Sequence, residues 1–114
     1  MMNPKITPEQ ERLNLKSEII KSPEKTGEII EDYTRQQPED IYDEQYHLSS
    51  EQKAAWEKDF ADPNLVEKEQ VIERIFNVAQ EKGILNAVQL ARKLDSSVMD
   101  EFHDRLILYL HSQQ

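Results

Sequence analysis

The apolar positions follow a helical period most clearly between residues 64 and 112, where three amphipathic patterns succeed one another with short joints. In the first pattern one side of the helix is apolar and the opposite side is charged or polar, which is typical of a helix that lies on a core. The apolar side consists of Leu65, Val71, Ile72, Ile75, Phe76, Val78 and Ala79. Gly83 follows this pattern and is expected to end the helix. We therefore predict a three-helix unit at 64–112 as the core of the fold.

The other two helices of this unit are predicted at 84–94 and from Ser97 onward. Six apolar residues share the inner face of the last helix: Val98, Met99, Phe102, Leu106, Tyr109 and Leu110. Leu108 points nearly away from that face, so a further neighbour is needed to cover it. The N-terminal helices, a second copy of the chain and a different protein are the three alternatives. We expect the N-terminal helices, because segments of one chain are present at high effective concentration.

Proline and capping residues predict shorter helices before this unit. Residues 7–10 (TPEQ) form a capping box with proline in the first turn, which predicts a helix to about residue 21. Its loose apolar stripe consists of Leu13, Leu15, Ile19 and Ile20. Residues 22–24 (SPE) repeat the signal and predict a second helix to about residue 36. Residues 38–48 read as a third short helix, with Ile41, Tyr42, Gln45 and Leu48 on one side.

A fourth helix is predicted from the capping box at residues 49–52 (SSEQ) to about residue 61. It carries Trp56 and, four residues later, Phe60 on one stripe. We interpret this stripe as docking onto the core of the same chain, with an external partner groove as the alternative. The sequence thus predicts an all-α protein: a small helical bundle at 49–112, built from the three-helix unit and the Trp56 helix, preceded by an acidic helical arm at 1–48 that is partly ordered.

Composition narrows the function classes. Lys and Arg total 14 against 23 for Asp and Glu, giving a net charge of −9. A chain of this charge is not expected to bind nucleic acid directly, because that needs cations to neutralise phosphates. There is no cysteine, which excludes disulfides, thiolate metal sites and cysteine nucleophiles. Without a long apolar run or a signal-like N-terminus, we expect a cytoplasmic protein that does not bind membranes.

Two histidine motifs could carry chemistry. Glu44 and His47 have the Glu-x-x-His spacing used by carboxylate-bridged metals in helical bundles, but such a site needs a second copy of the motif and two more glutamates. His103 lies between Asp100 and Asp104, as acid–base catalysis would require, yet no nucleophile elbow or phosphate-binding loop accompanies it. We expect solvated side chains at both motifs, no metal, no cofactor and no enzymatic activity.

Tyr33, Tyr42 and Tyr46 lie in the most acidic part of the chain, between residues 24 and 48. Eight carboxylates surround them: Glu24, Glu28, Glu31, Asp32, Glu39, Asp40, Asp43 and Glu44. This stretch is either a docking segment that orders on a basic partner, or an acidic helical segment that packs onto the bundle through its tyrosines.

Residues 81–104 resemble a helix–turn–helix segment that recurs in uncharacterised bacterial proteins. The resemblance is carried by Gly83, by the run at 91–94 (ARKL) and by residues 102–104 (FHD). It implies helical structure and no particular activity, so no site residue is transferred from it.

These observations lead to the expectation of a non-catalytic protein–protein interaction or accessory protein, a small acidic helical adaptor. The expected partner-binding residues are Tyr33, Tyr42, Tyr46, Trp56, Phe60 and Leu108. The expected partner is another protein, with a basic protein and a second copy of the chain as specific options. The alternative function is an acidic nucleic-acid mimic that inhibits a basic protein.

Overall fold

The computed structural model describes residues 5–60, 67–94 and 96–112, without the side chains of residues 59, 60, 111 and 112. This part of the chain contains seven α-helices: α1 (Pro8–Lys21), α2 (Thr26–Tyr33), α3 (Pro38–Ile41), α4 (Ser50–Phe60), α5 (Lys68–Lys82), α6 (Ile84–Arg92) and α7 (Ser96–Ser112). Two 3₁₀ turns, Pro23–Lys25 and Glu44–Tyr46, and one isolated bridge between Ile6 and Tyr42 complete the described secondary structure. The predicted all-α class is confirmed.

Helices α5, α6 and α7 form the predicted three-helix unit. Gly83 ends α5 with φ 104° and ψ 154°, and α6 begins at the next residue. Helices α5 and α7 run in the same direction, because Lys68 pairs with Glu101 near their beginnings and the ring of Phe76 contacts Tyr109 further along. The predicted inner faces supply most of the core. Leu65, which the sequence pattern included in α5, lies outside the described residues.

The N-terminal helices belong to the same core. The capping box that begins α1 is present: Thr7 Oγ1 accepts from the Gln10 N–H at 3.2 Å, and Gln10 Oε1 accepts from the Thr7 N–H at 3.0 Å. Leu15 and Ile19 of α1 and Ile30 of α2 are buried among the core residues of α5–α7. Residues 5–48, expected as a partly ordered arm, are therefore helices and turns packed against the bundle.

Two predicted elements differ in the structure. The second helix begins at Thr26 rather than at Ser22, which makes no side-chain cap, and it ends at Tyr33 instead of near residue 36. The third piece is helical only over Pro38–Ile41, after which Tyr42 is extended with φ −91° and ψ 153°. This extended residue pairs with Ile6: the Ile6 N–H donates to the Ile41 carbonyl at 2.9 Å, and the Asp43 N–H donates to the Ile6 carbonyl at 3.0 Å. The helical face predicted for residues 38–48 is therefore replaced by a backbone contact between Ile6 and Tyr42, which are 36 residues apart in the sequence.

Helix α4 lies at the edge of the bundle. Its predicted capping box is present, with the Gln52 N–H donating to Ser49 Oγ at 3.1 Å and the Ser49 N–H to Gln52 Oε1 at 3.0 Å. Trp56 is half-buried and packs against the core, which agrees with docking onto the same chain. The Phe60 side chain lies outside the described residues.

The N-terminal helices do not cover Leu108, contrary to the expectation from the sequence. Helix α2 contacts α7 on another side, where Gly27 lies against Ile107. Leu108 is 69% exposed. The reason is geometric: successive residues of a helix are 100° apart, so a neighbour that packs on Ile107 leaves Leu108 free.

Among the described helices, none is long and apolar enough to cross a bilayer.

Candidate functional site

The most buried carboxylate of the described residues is Glu11 on α1, which is 1% exposed. Its Oε1 accepts the backbone N–H of Ile84 at 2.8 Å, and its Oε2 accepts the hydroxyls of Tyr33 and Tyr42. The Tyr42 hydroxyl in turn accepts the backbone N–H of Leu85 at 2.8 Å. We call Glu11, Tyr33 and Tyr42 the buried acid cluster.

This cluster caps α6 from a distance. A helix begins with backbone N–H groups that have no partner inside the helix, and Gly83 has no side chain to accept from them. Glu11 and Tyr42 satisfy the first two, at Ile84 and Leu85. The positive end of the helix dipole also favours a carboxylate at this position.

Burial nevertheless has the largest effect on the pKa values of the cluster. Loss of solvation raises the pKa of the Glu11 carboxyl above its ordinary value, and the hydrogen bonds from Ile84, Tyr33 and Tyr42 offset only part of that rise. Burial, followed by the nearby charge of Glu11, raises the pKa of the Tyr33 and Tyr42 hydroxyls. Both tyrosines therefore stay protonated and act as donors to the carboxylate.

Gly83 and Tyr42 fit against each other beside the cluster. A side-chain carbon at position 83 would overlap the ring and hydroxyl of Tyr42, and the φ of 104° there suits only glycine. The Tyr42 ring is fully buried. The cluster is thus a structural joint between α1, the segment around Tyr42 and the start of α6.

The three tyrosines expected to bind a partner are placed differently from one another. Tyr42 is inside the fold, and the hydroxyl of the half-buried Tyr33 points at Glu11, so both pack onto the bundle as the alternative interpretation proposed. Tyr46 is also half-buried; its ring meets that of Tyr42 edge to face, and its carbonyl accepts the Asn86 side-chain amide at 2.9 Å. The hydroxyls of Tyr33 and Tyr42 are therefore held inside the protein by Glu11.

Sequence reasoning missed Glu11. It is one of 23 acidic residues, in a helix whose apolar stripe is thin, and nothing around it distinguishes it from a solvated side chain. The only available signal is its spacing, since Glu11 lies four residues before the buried Leu15 and eight before Ile19, on the same helical face.

A surface groove beside Leu108 is the strongest candidate for binding a partner. It lies between α5 and α7, has a volume of about 560 Å³, and is lined by Glu73, Phe76, Asn77, Arg105 and Leu108. Phe76 is half-buried, and its ring packs edge to face on Phe102 at 6.1 Å and on Tyr109 at 5.1 Å between ring centroids. The apolar part of the groove therefore rests on the core through Phe102.

Two other large apolar side chains are exposed on α1. Leu13 is 58% exposed and Ile20 is 61% exposed. Neither lines the groove beside Leu108. Single exposed apolar residues are common on soluble proteins, so exposure alone does not indicate a site. Leu108 differs because it borders a groove with an aromatic wall.

The histidines of the two sequence motifs are half-buried, not the solvated side chains that the sequence predicted. The His47 Nε2 atom lies 2.9 Å from the carbonyl oxygen of Tyr42, within hydrogen-bonding distance. His103 borders a cavity of about 370 Å³ with Arg92, Met99 and Asp100, and its buried Nε2 has no hydrogen-bond partner within the described residues. No three His, Asp or Glu side chains of the described part are grouped so that they could hold a metal ion.

Comparison with known proteins does not place the chain in a family. No family model matches it, and no curated protein or solved structure is significantly similar to it.

Proposed function

We propose that this protein is a small acidic adaptor or accessory subunit that binds another protein and catalyses no reaction of its own. The observation that supports this proposal is the groove beside Leu108, where a 69% exposed leucine borders the ring of Phe76 on the outside of an otherwise packed helix pair. Burying one leucine side chain is worth about 1.5–3 kcal/mol, so a partner that fills this groove gains affinity from a single contact.

Changing Leu108 to Glu tests this function. The exchange adds a charge to the apolar contact but leaves the core intact, so we expect a folded protein that loses its partners. The measurement is affinity capture from an extract of cells that express the protein, quantified by mass spectrometry. Far-UV circular dichroism and thermal unfolding of each variant establish that it is folded.

Leu13→Glu is the matched control, because it makes the same change at an apolar side chain of similar exposure on α1. Proteins retained by the wild type and by Leu13→Glu but lost by Leu108→Glu support the proposal. Identical sets of captured proteins for all three would refute it. Unfolding of Leu108→Glu would also refute it, since Leu108 would then be part of the core.

An inhibitor that mimics nucleic acid is the second candidate. Seven of the eight carboxylates between residues 24 and 48 are exposed, namely all except Asp43, and this observation favours a surface that attracts basic proteins. Binding through this surface must weaken steeply as salt increases and be unaffected by Leu108→Glu. Titration of a DNA-binding protein with the wild type and this variant, at several salt concentrations, separates the two functions.

A further inference from the structure

The groove beside Leu108 combines an apolar wall with an excess of negative charge, and the two features together specify an occupant. We propose that it binds an amphipathic helix of a different, basic protein, which inserts an apolar side chain between Phe76 and Leu108 and pairs a Lys or Arg with Glu73. This inference rests on the proposed function and adds the chemistry of the partner.

The charges around the groove are already partly matched. Arg105, which lines the groove, is attracted by three carboxylates, Glu69, Glu73 and Glu101, and Lys68 pairs with Glu101. Arg105 Nη2 is 2.6 Å from Glu69 and 3.9 Å from Glu101, and Lys68 Nζ is 3.8 Å from Glu101. Both cations are therefore engaged by carboxylates of their own chain. The groove carboxylate that neither of them bridges is Glu73.

Glu73 is the carboxylate best placed to receive that cation. It is exposed and lines the groove, and although it attracts Arg105, it forms no salt bridge with another described residue. It lies one turn from Phe76 on α5, so a cation paired with Glu73 would sit one helical turn from an apolar anchor against Phe76. An apolar residue and a Lys or Arg three or four positions apart on one helix face meet this spacing.

A different protein fits the groove better than a second copy of this chain. Each copy carries a net charge of −9, so two copies repel each other over the distances at which they would meet. Electrostatic complementarity requires a positive partner surface.

A helix fits better than an extended peptide for a backbone reason. Helices α5 and α7 bond their backbone groups internally, so the groove offers no strand edge to which an extended chain could add. Only side chains are available, and a helix lying in a groove uses side chains alone. A proline-rich segment would need a groove lined by several aromatic rings, whereas Phe76 is the single ring lining this one.

Three synthetic helical peptides serve as probes. Each is an alanine-rich helix of about 16 residues, long enough to form helix in part before binding. The first carries two leucines four positions apart with lysines one turn away, the second has glutamates in place of the lysines, and the third has alanines in place of the leucines. Fluorescence anisotropy with the intact chain measures each dissociation constant at low and at physiological salt.

We expect the lysine–leucine peptide to bind at least about tenfold more tightly than either of the others. Leu108→Glu is expected to weaken that binding by at least about tenfold, and Leu13→Glu by less than about twofold. Equal binding of the lysine and glutamate peptides would overturn the proposal, as would binding that does not depend on Leu108.

Glu73→Lys tests the predicted ion pair. Reversing this charge is expected to weaken binding of the lysine–leucine peptide by about fivefold and to tighten binding of the glutamate peptide. Glu81→Lys makes the same change in net charge at an exposed position of α5 that does not line the groove, and is expected to have less than about twofold effect. Equal effects of the two exchanges would show that net charge alone acts, and would overturn the role of Glu73.

Sedimentation of the wild type and of Leu108→Glu tests the competing occupant. A monomer in both cases supports a different protein. A wild-type dimer that becomes a monomer in Leu108→Glu would show that a second copy fills the groove, and would overturn this inference. The proposed function would be refuted by a different result, namely capture of the same partners by the wild type and by Leu108→Glu.

Discussion

At the scale of single residues, the Glu11 side chain connects segments that are far apart in the sequence. Its carboxylate joins two tyrosine hydroxyls and the start of α6, and its partners lie 22, 31 and 73 residues away in the sequence. A buried carboxylate is costly unless it is hydrogen-bonded, so the cluster holds together only while all its members are in place.

Removing the Tyr42 hydroxyl is expected to destabilise the protein by about 1–3 kcal/mol, because Tyr42→Phe leaves the buried Leu85 N–H without its acceptor and takes one donor from Glu11. Urea unfolding measures the change. Tyr46→Phe is the control, since the Tyr46 hydroxyl makes no hydrogen bond within the described residues, and we expect it to stay within about 0.5 kcal/mol of wild type. Equal losses from the two variants would contradict the role of the cluster.

Glu11 is also expected to make stability depend on pH. Its pKa is raised in the folded protein, so the folded chain holds this proton more tightly than the unfolded chain. The contribution of Glu11 to the free energy of unfolding is therefore fully present below the ordinary value of 4.5 and is lost as pH rises through the raised pKa.

The test is urea unfolding of the wild type and Glu11→Gln across this pH range. Glutamine does not titrate, so we expect the stability of the wild type relative to Glu11→Gln to fall as pH rises. Glu9→Gln removes the same charge from an exposed position of α1 and serves as the control. The prediction fails if the two variants show the same difference from wild type at every pH.

At the scale of the elements, the joint between α5 and α6 depends on both a local and a distant feature. Gly83 permits the backbone turn, and the absence of a side chain there makes room for Tyr42. Local chemistry explains why α5 ends at this residue. It does not explain why α6 can begin at the very next residue, which depends on Glu11 and Tyr42 as caps.

Gly83→Ala is expected to destabilise the protein by at least about 2 kcal/mol, because a side chain is strained at this φ and also overlaps Tyr42. Gly27→Ala is the matched control: a side-chain carbon there would only touch Ile107 at 3.9 Å, and alanine favours the helix by up to about 1 kcal/mol. Thermal and urea unfolding compare the two. Wild-type stability of Gly83→Ala would contradict the described joint.

At the scale of the whole molecule, the N-terminal half is part of the bundle. Leu15, Ile19 and Ile30 are buried with the core residues of α5–α7, and Arg12 donates to the Gln80 carbonyl at 3.2 Å. Within the loose apolar stripe of α1, Leu15 and Ile19 thus pack on the core, whereas Leu13 and Ile20 are exposed.

Two neighbouring isoleucines test this directly. Ile19 is fully buried and Ile20 is 61% exposed on the same helix. We expect Ile19→Ala to cost about 2–5 kcal/mol, through lost burial and a residual cavity, and Ile20→Ala to cost less than about 1 kcal/mol. Urea unfolding measures both costs. Small and equal losses of stability in the two variants would mean that α1 is a loosely attached arm.

The sequence by itself determined the features that arise within a few residues. Capping side chains three residues apart predict the helix starts at Thr7 and Ser49. The helical period predicts the buried faces of α5, α6 and α7, and the glycine at position 83 predicts the end of α5. The predicted Trp56 docking also follows from a local stripe.

Only the tertiary structure decided the buried acid cluster, the extended backbone at Tyr42 and the exposure of Leu108. Each depends on which segments meet, and those segments are separated by tens of residues that local rules do not connect. Helix α2 packs on the side of α7 that carries Ile107, so the described N-terminal helices do not cover Leu108. Leu108 is left beside an open groove for that reason.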